Sequence, residues 1–306
     1  MKASKLGAST LPLVTVVTPS YNQGRFIRET IESVLSQDYP HIEYMVIDGG
    51  STDETLSILN SYEHRFFWVS EPDRGQAHAI NKGWQRAKGD VLAWLNSDDI
   101  YLPGAIAKAV DYLIRNQQVG MVYGDAYYVA EDGRVIKPYP TEPFDANRLV
   151  DTCTICQPAA FIRRAVIDDI GYLDDSLNLC IDYDLWIRIS RNYSLGHLSE
   201  YLAKSRLHAE CKTVKQRVAA YKEALEMLYR HYGFVPPSWA CGYAYRALET
   251  RFNSSASWKN PVFVLGLITF CSWNFLRYNY RMPLVELGRW VWGLREGIKK
   301  LFAAHR

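Results

Sequence analysis

Short apolar runs that stop abruptly at polar clusters punctuate the N-terminal third of the chain. Leu13 to Thr18 is β-branched and halted by Pro19-Ser20, and Glu43 to Ile47 closes on Asp48-Gly49-Gly50-Ser51-Thr52-Asp53. Phe66 to Val69 runs into Ser70-Glu71-Pro72-Asp73-Arg74-Gly75, and Val91 to Leu95 into Asn96-Ser97-Asp98-Asp99. Each run predicts a buried strand. Between them the apolar residues change period. Phe26, Ile27, Ile31, Val34 and Leu35 predict a helix over 24–37, and further helices are expected over 53–62, over 76–87 and from near Pro103. Strands alternating with helices at this pitch describe a parallel α/β sheet with crossover connections.

After about residue 116 the rhythm changes. Val119 to Ala130 and Arg134 to Ile136 flank Glu131-Asp132-Gly133, whose Asp-Gly pair predicts an antiparallel hairpin. A loop over 138–143, a short strand over 159–162 and a helix over 183–190 follow. From residue 213 the pattern is mainly helical, which suggests an α/β domain over 1–212 and a helical extension over 213–306. Val262 to Trp273 is nearly all apolar but falls short of the roughly 20 residues a spanning helix needs. Beyond it Arg277, Arg281, Arg289, Arg295, Lys299 and Lys300 interleave with Trp290, Trp292 and Phe302. That mixture suits either an amphipathic helix on an anionic membrane surface or a cap packed on the protein.

Composition narrows the class without naming a partner. A chain of 306 residues, 48% hydrophobic and 22% charged, is globular with ample core. The net charge of +2 shows no bias toward nucleic acid, and no nucleic-acid partner is expected. Six cysteines are scattered, and Cys153-x-x-Cys156 has no second pair to complete a zinc site. Free thiols and a first segment without an apolar h-region predict a cytoplasmic protein.

The chemistry concentrates at the strand ends, where open α/β sheets bind their ligands. Hard oxygen donors at 96–99 suit Mg2+ or Mn2+ and, through the metal, a diphosphate; equally, Ser97 or Asp99 could cap the next helix. Asp48 could accept from a ribose hydroxyl or a base N–H, or could close an Asx turn ahead of a Ser51/Thr52 cap. Asp73 and Arg74 could meet a nucleoside and phosphate oxygens, or form an exposed ion pair of little consequence.

Taken together, Val-Val-Thr-Pro-Ser-Tyr-Asn-Gln-Gly (16–24), Ser-Val-Leu-Ser-Gln-Asp-Tyr-Pro (33–40), Ile-Asp-Gly-Gly-Ser-Thr-Asp (47–53), Asn81-Lys82-Gly83 and Trp-Leu-Asn-Ser-Asp-Asp (94–99) resemble glycosyltransferase family 2. The likeness extends over roughly 12–210. It implies a GT-A fold, a Rossmann-like nucleotide-diphospho-sugar transferase architecture. It also implies that Thr18, Pro19 and Tyr21 border the nucleoside, that Asp48 contacts the base, and that Asn96, Ser97 and Asp98 stand for the DxD motif. In that motif Asp98 would hold the metal. Asn96, uncharged where the family has a first Asp, would touch ribose or a metal-bound water.

Cys180-Ile181-Asp182-Tyr183-Asp184-Leu185-Trp186-Ile187-Arg188 resembles the Glu-Asp-x-Asp-Leu-Trp-x-Arg segment. Asp182 then matches the catalytic base, with Ile181 in place of Glu; the alternative is a helix cap. Gln157 would contact substrate, and His208, in Ser-Arg-Leu-His, would ligate the metal or bind a phosphate. The Gln-x-x-Arg-Trp motif of processive synthases is absent. The implied protein is an inverting enzyme that moves one sugar from a nucleotide-diphosphate donor to a carbohydrate or lipid-linked glycan hydroxyl. It would work in the cytoplasm or at the cytoplasmic face of the inner membrane, with peripheral contact through the tail. Its rivals are a nucleotide-sugar-binding protein without turnover and a sugar nucleotidyltransferase.

Overall fold

The computed structural model describes residues 11–62, 64–253 and 260–280. In chain order the elements are β1 (Val14–Ser20), α1 (Gly24–Leu35), β2 (Ile42–Asp48), α2 (Thr55–Asn60), β3 (Phe67–Ser70), α3 (Gln76–Arg86), β4 (Val91–Trp94), β5 (Ile100–Tyr101) and α4 (Ala105–Arg115). There follow β6 (Val119–Val129), β7 (Val135–Pro138), α5 (Ala146–Asp151), a 3-10 turn at Gln157–Ala159, β8 (Ala160–Arg163), α6 (Arg164–Ile170), α7 (Ile181–Asn192) and β9 (Ser194–Arg206). The helices α8 (Lys212–Lys215), α9 (Arg217–Tyr232), α10 (Pro237–Phe252) and α11 (Pro261–Asn279) come last.

The chain divides into two compact units, Met1–Phe144 with Thr154–His208, and Asp145–Cys153 with Ala209–Arg306. The second unit therefore opens slightly before the expected 213 and also takes α5 from within the α/β part.

In the first unit β3-β2-β1-β4 form a parallel array, as the alternating pattern predicts. The sheet then turns mixed: β4-β8 and β8-β6 are antiparallel, β6-β9 parallel and β9-β5 antiparallel, with β7 hairpinned on β6. β1, β4 and most of β2 are buried on both faces, which is why they read as unbroken apolar runs, whereas β3 at the sheet edge is exposed to half-buried. Val14, Val16, Val46, Val91 and Ala93 meet Ile27 and Ile31 of α1 and Ile106 and Val110 of α4. The opposite face receives α3 closely: a Cβ on Gly83 would lie 2.6 Å from Val17 Cγ1, so glycine sets that approach. On the same face Trp94 packs edge-on to Trp84 and stacks on Trp186 of α7 at 5.7 Å between ring centroids.

In the second unit α9, α10 and α11 pack through Leu225, Val235, Ala240 and Phe275, and through Ala244, Phe263, Leu267 and Cys271. Asn279 at the end of α11 bonds both backbone groups of Val235, accepting from its N–H at 2.9 Å and donating to its carbonyl at 3.0 Å. Among the described residues no helix is long and apolar enough to cross a membrane. The basic and aromatic stretch from Arg281 onward lies outside the described residues.

Candidate active site

The first two strand ends are tied to one another before any ligand is considered. Asn22 adopts φ 52°, a left-handed conformation that asparagine tolerates. Its N–H donates to Ser51 Oγ at 2.7 Å, and its side-chain oxygen accepts from Thr52 N–H at 2.8 Å. Gln23 and Gly24 continue the seam, donating to Thr55 Oγ1 and to Asp53 Oδ2. Residues 21–24 and 51–55 thus form a clasp. Thr18 is fully buried and accepts from Tyr44 at 3.1 Å, facing the core, whereas Tyr21 is 61% exposed. Pro19, between them, is buried in β1.

Asp48 is fully buried at the end of β2. Its Oδ2 accepts from Gly50 N–H, Ser51 N–H and Ser70 Oγ, and its Oδ1 from Ser51 Oγ at 2.5 Å. Of the two roles open to it in the sequence, the observed bonds are those of the turn. Asp73 lies against the backbone at Gly49, where a Cβ would stand 2.6 Å from Asp73 Oδ2. Its other oxygen accepts from Gly75 N–H at 2.8 Å. Arg74 is largely exposed and ion-paired with Asp175 in the loop ahead of α7.

The end of β4 is tied by hydrogen bonds to α3, to the 3-10 turn and to the end of β9. Asn96 gives its two amide hydrogens to Asp99 Oδ2 and Gln157 Oε1, each at 3.0 Å, and accepts from Gln76 Nε2 at 2.6 Å. Gln157 in turn donates to the Trp94 carbonyl at 2.8 Å. Ser97 is buried. Asp98 Oδ2 stands 3.0 Å from His208 Nε2, and the imidazole packs on Phe26 at 4.7 Å. Arg206, almost wholly buried, donates through its side chain to the carbonyls of Asp98 and Glu131 and to Glu29. Its backbone N–H donates to Asp99 Oδ1 at 3.0 Å.

The capping role expected of Asp99 is corrected here. Gly104, in a left-handed conformation, occupies the N-cap of α4, and no side chain bonds that end. Asp99 faces inward instead, and burial together with the neighbouring Asp98 pushes its pKa well up.

The stack of Trp186 on Trp94 seats α7 against β4. Cys180 is the N-cap of α7, so Asp182 stands within the first turn rather than capping it. Desolvation raises the Asp182 pKa to about 6, against the opposing pull of the Tyr183 N–H, which donates to Oδ1 at 2.8 Å. Two side chains fix the loop leading into this helix. Asn81 of α3 bonds both backbone groups of Leu173. Arg188 pairs with Asp184 at 2.8 Å and donates to the carbonyls of Ile170, Gly171 and Tyr172.

Among the described residues there is no cluster of three or more His, Cys, Asp or Glu able to enclose a metal. Asp98 and His208 nonetheless fit a divalent ion as a two-point donor set. Donors bound at about 2.1 Å on adjacent corners of an octahedron are about 3 Å apart, the separation of Asp98 Oδ2 and His208 Nε2. Magnesium-type sites keep their other positions for water and phosphate oxygens. Gln76 and the inward role of Asp99 were missed in the sequence. Their bonds to Asn96 and Arg206 span 20 and 107 positions, which no local spacing displays.

Comparison with known proteins gives the same outline. The family model described as Glycosyl transferase family 2 matches residues 15–171. An uncharacterized glycosyltransferase of Rickettsia prowazekii (strain Madrid E) is 32% identical over 65% of this chain and 65% of its own length, so the chain spans just under two thirds of that relative. A chondroitin synthase of Escherichia coli is 27% identical over 70% of this chain and 32% of its own. Among solved structures, S. aureus TarS 1-349 in complex with UDP-GlcNAc superposes with TM-score 0.58 at 18% identity, over 84% of this chain and 80% of that one. The mannosyltransferase PcManGT from Pyrobaculum calidifontis, in complex with GDP-Man and Mn2+, gives 0.59 at 19% identity, over 97% and 87%.

Proposed function

The chain belongs to glycosyl transferase family 2, and we propose on that footing that it is an inverting enzyme which moves one sugar from a nucleotide-diphosphate donor to a hydroxyl of a carbohydrate or lipid-linked glycan. The observation that carries this reading is the pairing of Asp98 with His208 at the end of the strand on which the helix of Asp182 is stacked. A donor-holding pair beyond a strand end and a basic carboxylate on the helix stacked against that strand are what the reaction needs. TarS with UDP-GlcNAc and PcManGT with GDP-Man support the donor class, and the chondroitin synthases support a carbohydrate acceptor.

An acceptor hydroxyl is a weak nucleophile and must lose its proton as it attacks. Asp182, with a pKa of about 6, is ionised at neutral pH yet basic enough to take that proton. The new bond forms at the anomeric carbon while the bond to the diphosphate oxygen breaks on the opposite face, which inverts the configuration. Asp98 and His208 would hold Mg2+ or Mn2+, whose chemistry is to neutralise charge on the departing diphosphate. The clasp of 21–24 on 51–55, with Asp73, Arg74, Ser97 and Gln157, borders the donor. Synthesis of a bacterial polysaccharide, lipopolysaccharide or lipid-linked glycan at the cytoplasmic face of the membrane is the setting this donor chemistry fits.

Purified protein with Mg2+ or Mn2+ and a panel of UDP-, GDP- and dTDP-sugars releases nucleoside diphosphate on this reading. Asp182→Asn retains donor binding and loses about 100- to 10,000-fold in turnover, the range for removal of a general base. Unchanged turnover would remove Asp182 from the mechanism. Pyrophosphate from a sugar phosphate and a nucleoside triphosphate would instead identify a nucleotidyltransferase, and binding with no product a protein without turnover.

A further inference from the structure

The ribbon of β6 and β9 runs on past the neighbouring strands. Tyr123 pairs with Ala160, the first residue of β8, while β4 ends at Trp94. Beyond that level β6 continues through Asp125 and Tyr127. Val122 and Ala126 of β6 belong to the core shared with α1 and α4. Successive strand residues face opposite ways, so Tyr123, Asp125 and Tyr127 share the face of Trp94 and α7.

Rings and charges are ordered on this face. Tyr123 is fully buried, donates to the Glu142 carbonyl at 2.8 Å and stacks on His197 at 5.3 Å between centroids. His197 Nε2 lies 2.9 Å from Asp125 Oδ1, and Oδ2 has no hydrogen bond among the described residues. Tyr201, the cross-strand partner of Asp125, lies parallel to Tyr127, with centroids 4.0 Å apart and 4° between the planes. Both rings are half-buried, and Lys204 is the cross-strand partner of Tyr127.

The helix of Asp182 reaches the same height. Leu92 and Met121 both pair with Ile162, so Trp94 is level with Tyr123. Trp186 stacks on Trp94. From Trp186 back to Asp182 is about 6 Å of helix, and from Tyr123 on to Asp125 about 7 Å of strand. The far end of α7 leads through Tyr193 to Ser194, which pairs with Val119 at the start of β6, so both stretches run toward the donor site. Asp125 and Asp182 thus stand at about one level on one face of the sheet.

We propose that Tyr127, Tyr201, Asp125 and Lys204 seat an acceptor pyranose, the sugar ring whose hydroxyl gives its proton to Asp182. The proposal rests on the transferase reading and names its acceptor class, a glycan end presented as a sugar ring. The C–H face of a pyranose lies on the electron-rich face of a tyrosine ring. Its hydroxyls donate to Asp125 and accept from Lys204, both bonds strengthened by charge. His197, backed by Tyr123, keeps the Asp125 carboxylate in place.

The test titrates the full chain, with Mn2+ and UDP, GDP or dTDP present, with the methyl pyranosides of glucose, galactose, mannose and N-acetylglucosamine, read by saturation-transfer NMR. At least one pyranoside is expected to bind, with saturation strongest at the C–H protons of one ring face. Tyr127→Ala with Tyr201→Ala weakens that binding about tenfold or more, whereas Tyr127→Phe with Tyr201→Phe retains it, because the ring faces remain. Asp125→Ala leaves both rings in place and also costs about tenfold; it decides the matter if the double-alanine chain does not fold. No binding of any of the four sugars would overturn the proposal. So would unchanged binding in the double-alanine chain or in Asp125→Ala, or a loss in the double-phenylalanine chain equal to that in the double-alanine chain. Nucleotide binding is read separately: a chain that binds a pyranoside but none of the three nucleotides refutes the transferase reading and leaves the sugar seat standing.

Discussion

Burial gives Asp182 two opposite effects that one substitution separates. Its carboxyl titrates near pH 6 in the fold, above the ordinary value of 3.8. A raised carboxylate pKa means that the folded state favours the protonated form. The stability tied to it is therefore complete below about pH 4 and is lost as pH rises through about 6. At pH 7.5 the ionised group costs stability, on the order of 1–2 kcal/mol because part of the side chain keeps contact with solvent. Asp182→Asn is expected to raise Tm by a few degrees at pH 7.5 and to leave it nearly unchanged at about pH 4, measured by thermal unfolding across pH. Activity shows the mirror image, with kcat/KM falling tenfold per pH unit below about 6; a flat profile down to about pH 5 would contradict the base assignment. The carboxylate at 182 was legible in the sequence only by resemblance, because its pKa depends on what packs around α7. Likewise the pairing of Asp98 with His208 spans 110 positions, and no local pattern shows it.

At the scale of elements, one amide shares with Arg188 the hold on the approach to α7. Asn81 is mostly buried, and its two bonds to Leu173 join α3 to the loop that ends at Cys180. Asn81→Ala leaves both backbone groups of Leu173 without partners, a cost of about 1–3 kcal/mol. The expected result is a lower denaturation midpoint with m unchanged, and a drop in kcat that exceeds the change in donor KM, since the loop leads to Asp182 rather than to the nucleotide. Equal loss in both constants would assign the amide to donor binding instead. The strands β1, β2 and β4 were legible because burial on both faces leaves an apolar run with polar punctuation, and the half-buried edge strand β3 because its short apolar run ends in the same kind of polar cluster. The mixed half was not. β9 has its buried and exposed residues in runs of two or more with no period of two, carries Glu200, Lys204 and Arg206, and shifts register with β6 at Gly124/Asp125 and Asp125/Ala126. Two-residue β5 and seven-residue α6 are too short to show a period.

Over the whole molecule the charge is unevenly spread. The 35 Lys and Arg against 33 Asp and Glu leave +2, yet residues 261–306 contain seven Lys or Arg and two Glu, so the rest of the chain is net negative. The second unit also turns an apolar face outward: Val262, Leu265, Trp273, Leu276 and Tyr280 of α11 and its C-cap are exposed at helical spacing, with Thr269 completing the stripe. An apolar stripe with an adjoining cationic segment suits an anionic bilayer surface, where each buried side chain contributes about 1.5–3 kcal/mol and each nearby Lys or Arg about 1. The full chain is accordingly expected to float with liposomes containing phosphatidylglycerol, less so as salt is raised, and weakly with neutral liposomes. Leu265 and Trp273 are 67% and 62% exposed, so replacing both by Glu leaves the packing of α11 on α10 intact. That double variant should lose at least tenfold in vesicle partitioning while turnover of a soluble acceptor is unchanged. Equal flotation of the two proteins would reject α11 as the contact face. Flotation insensitive to salt in both would reject the electrostatic contribution as well.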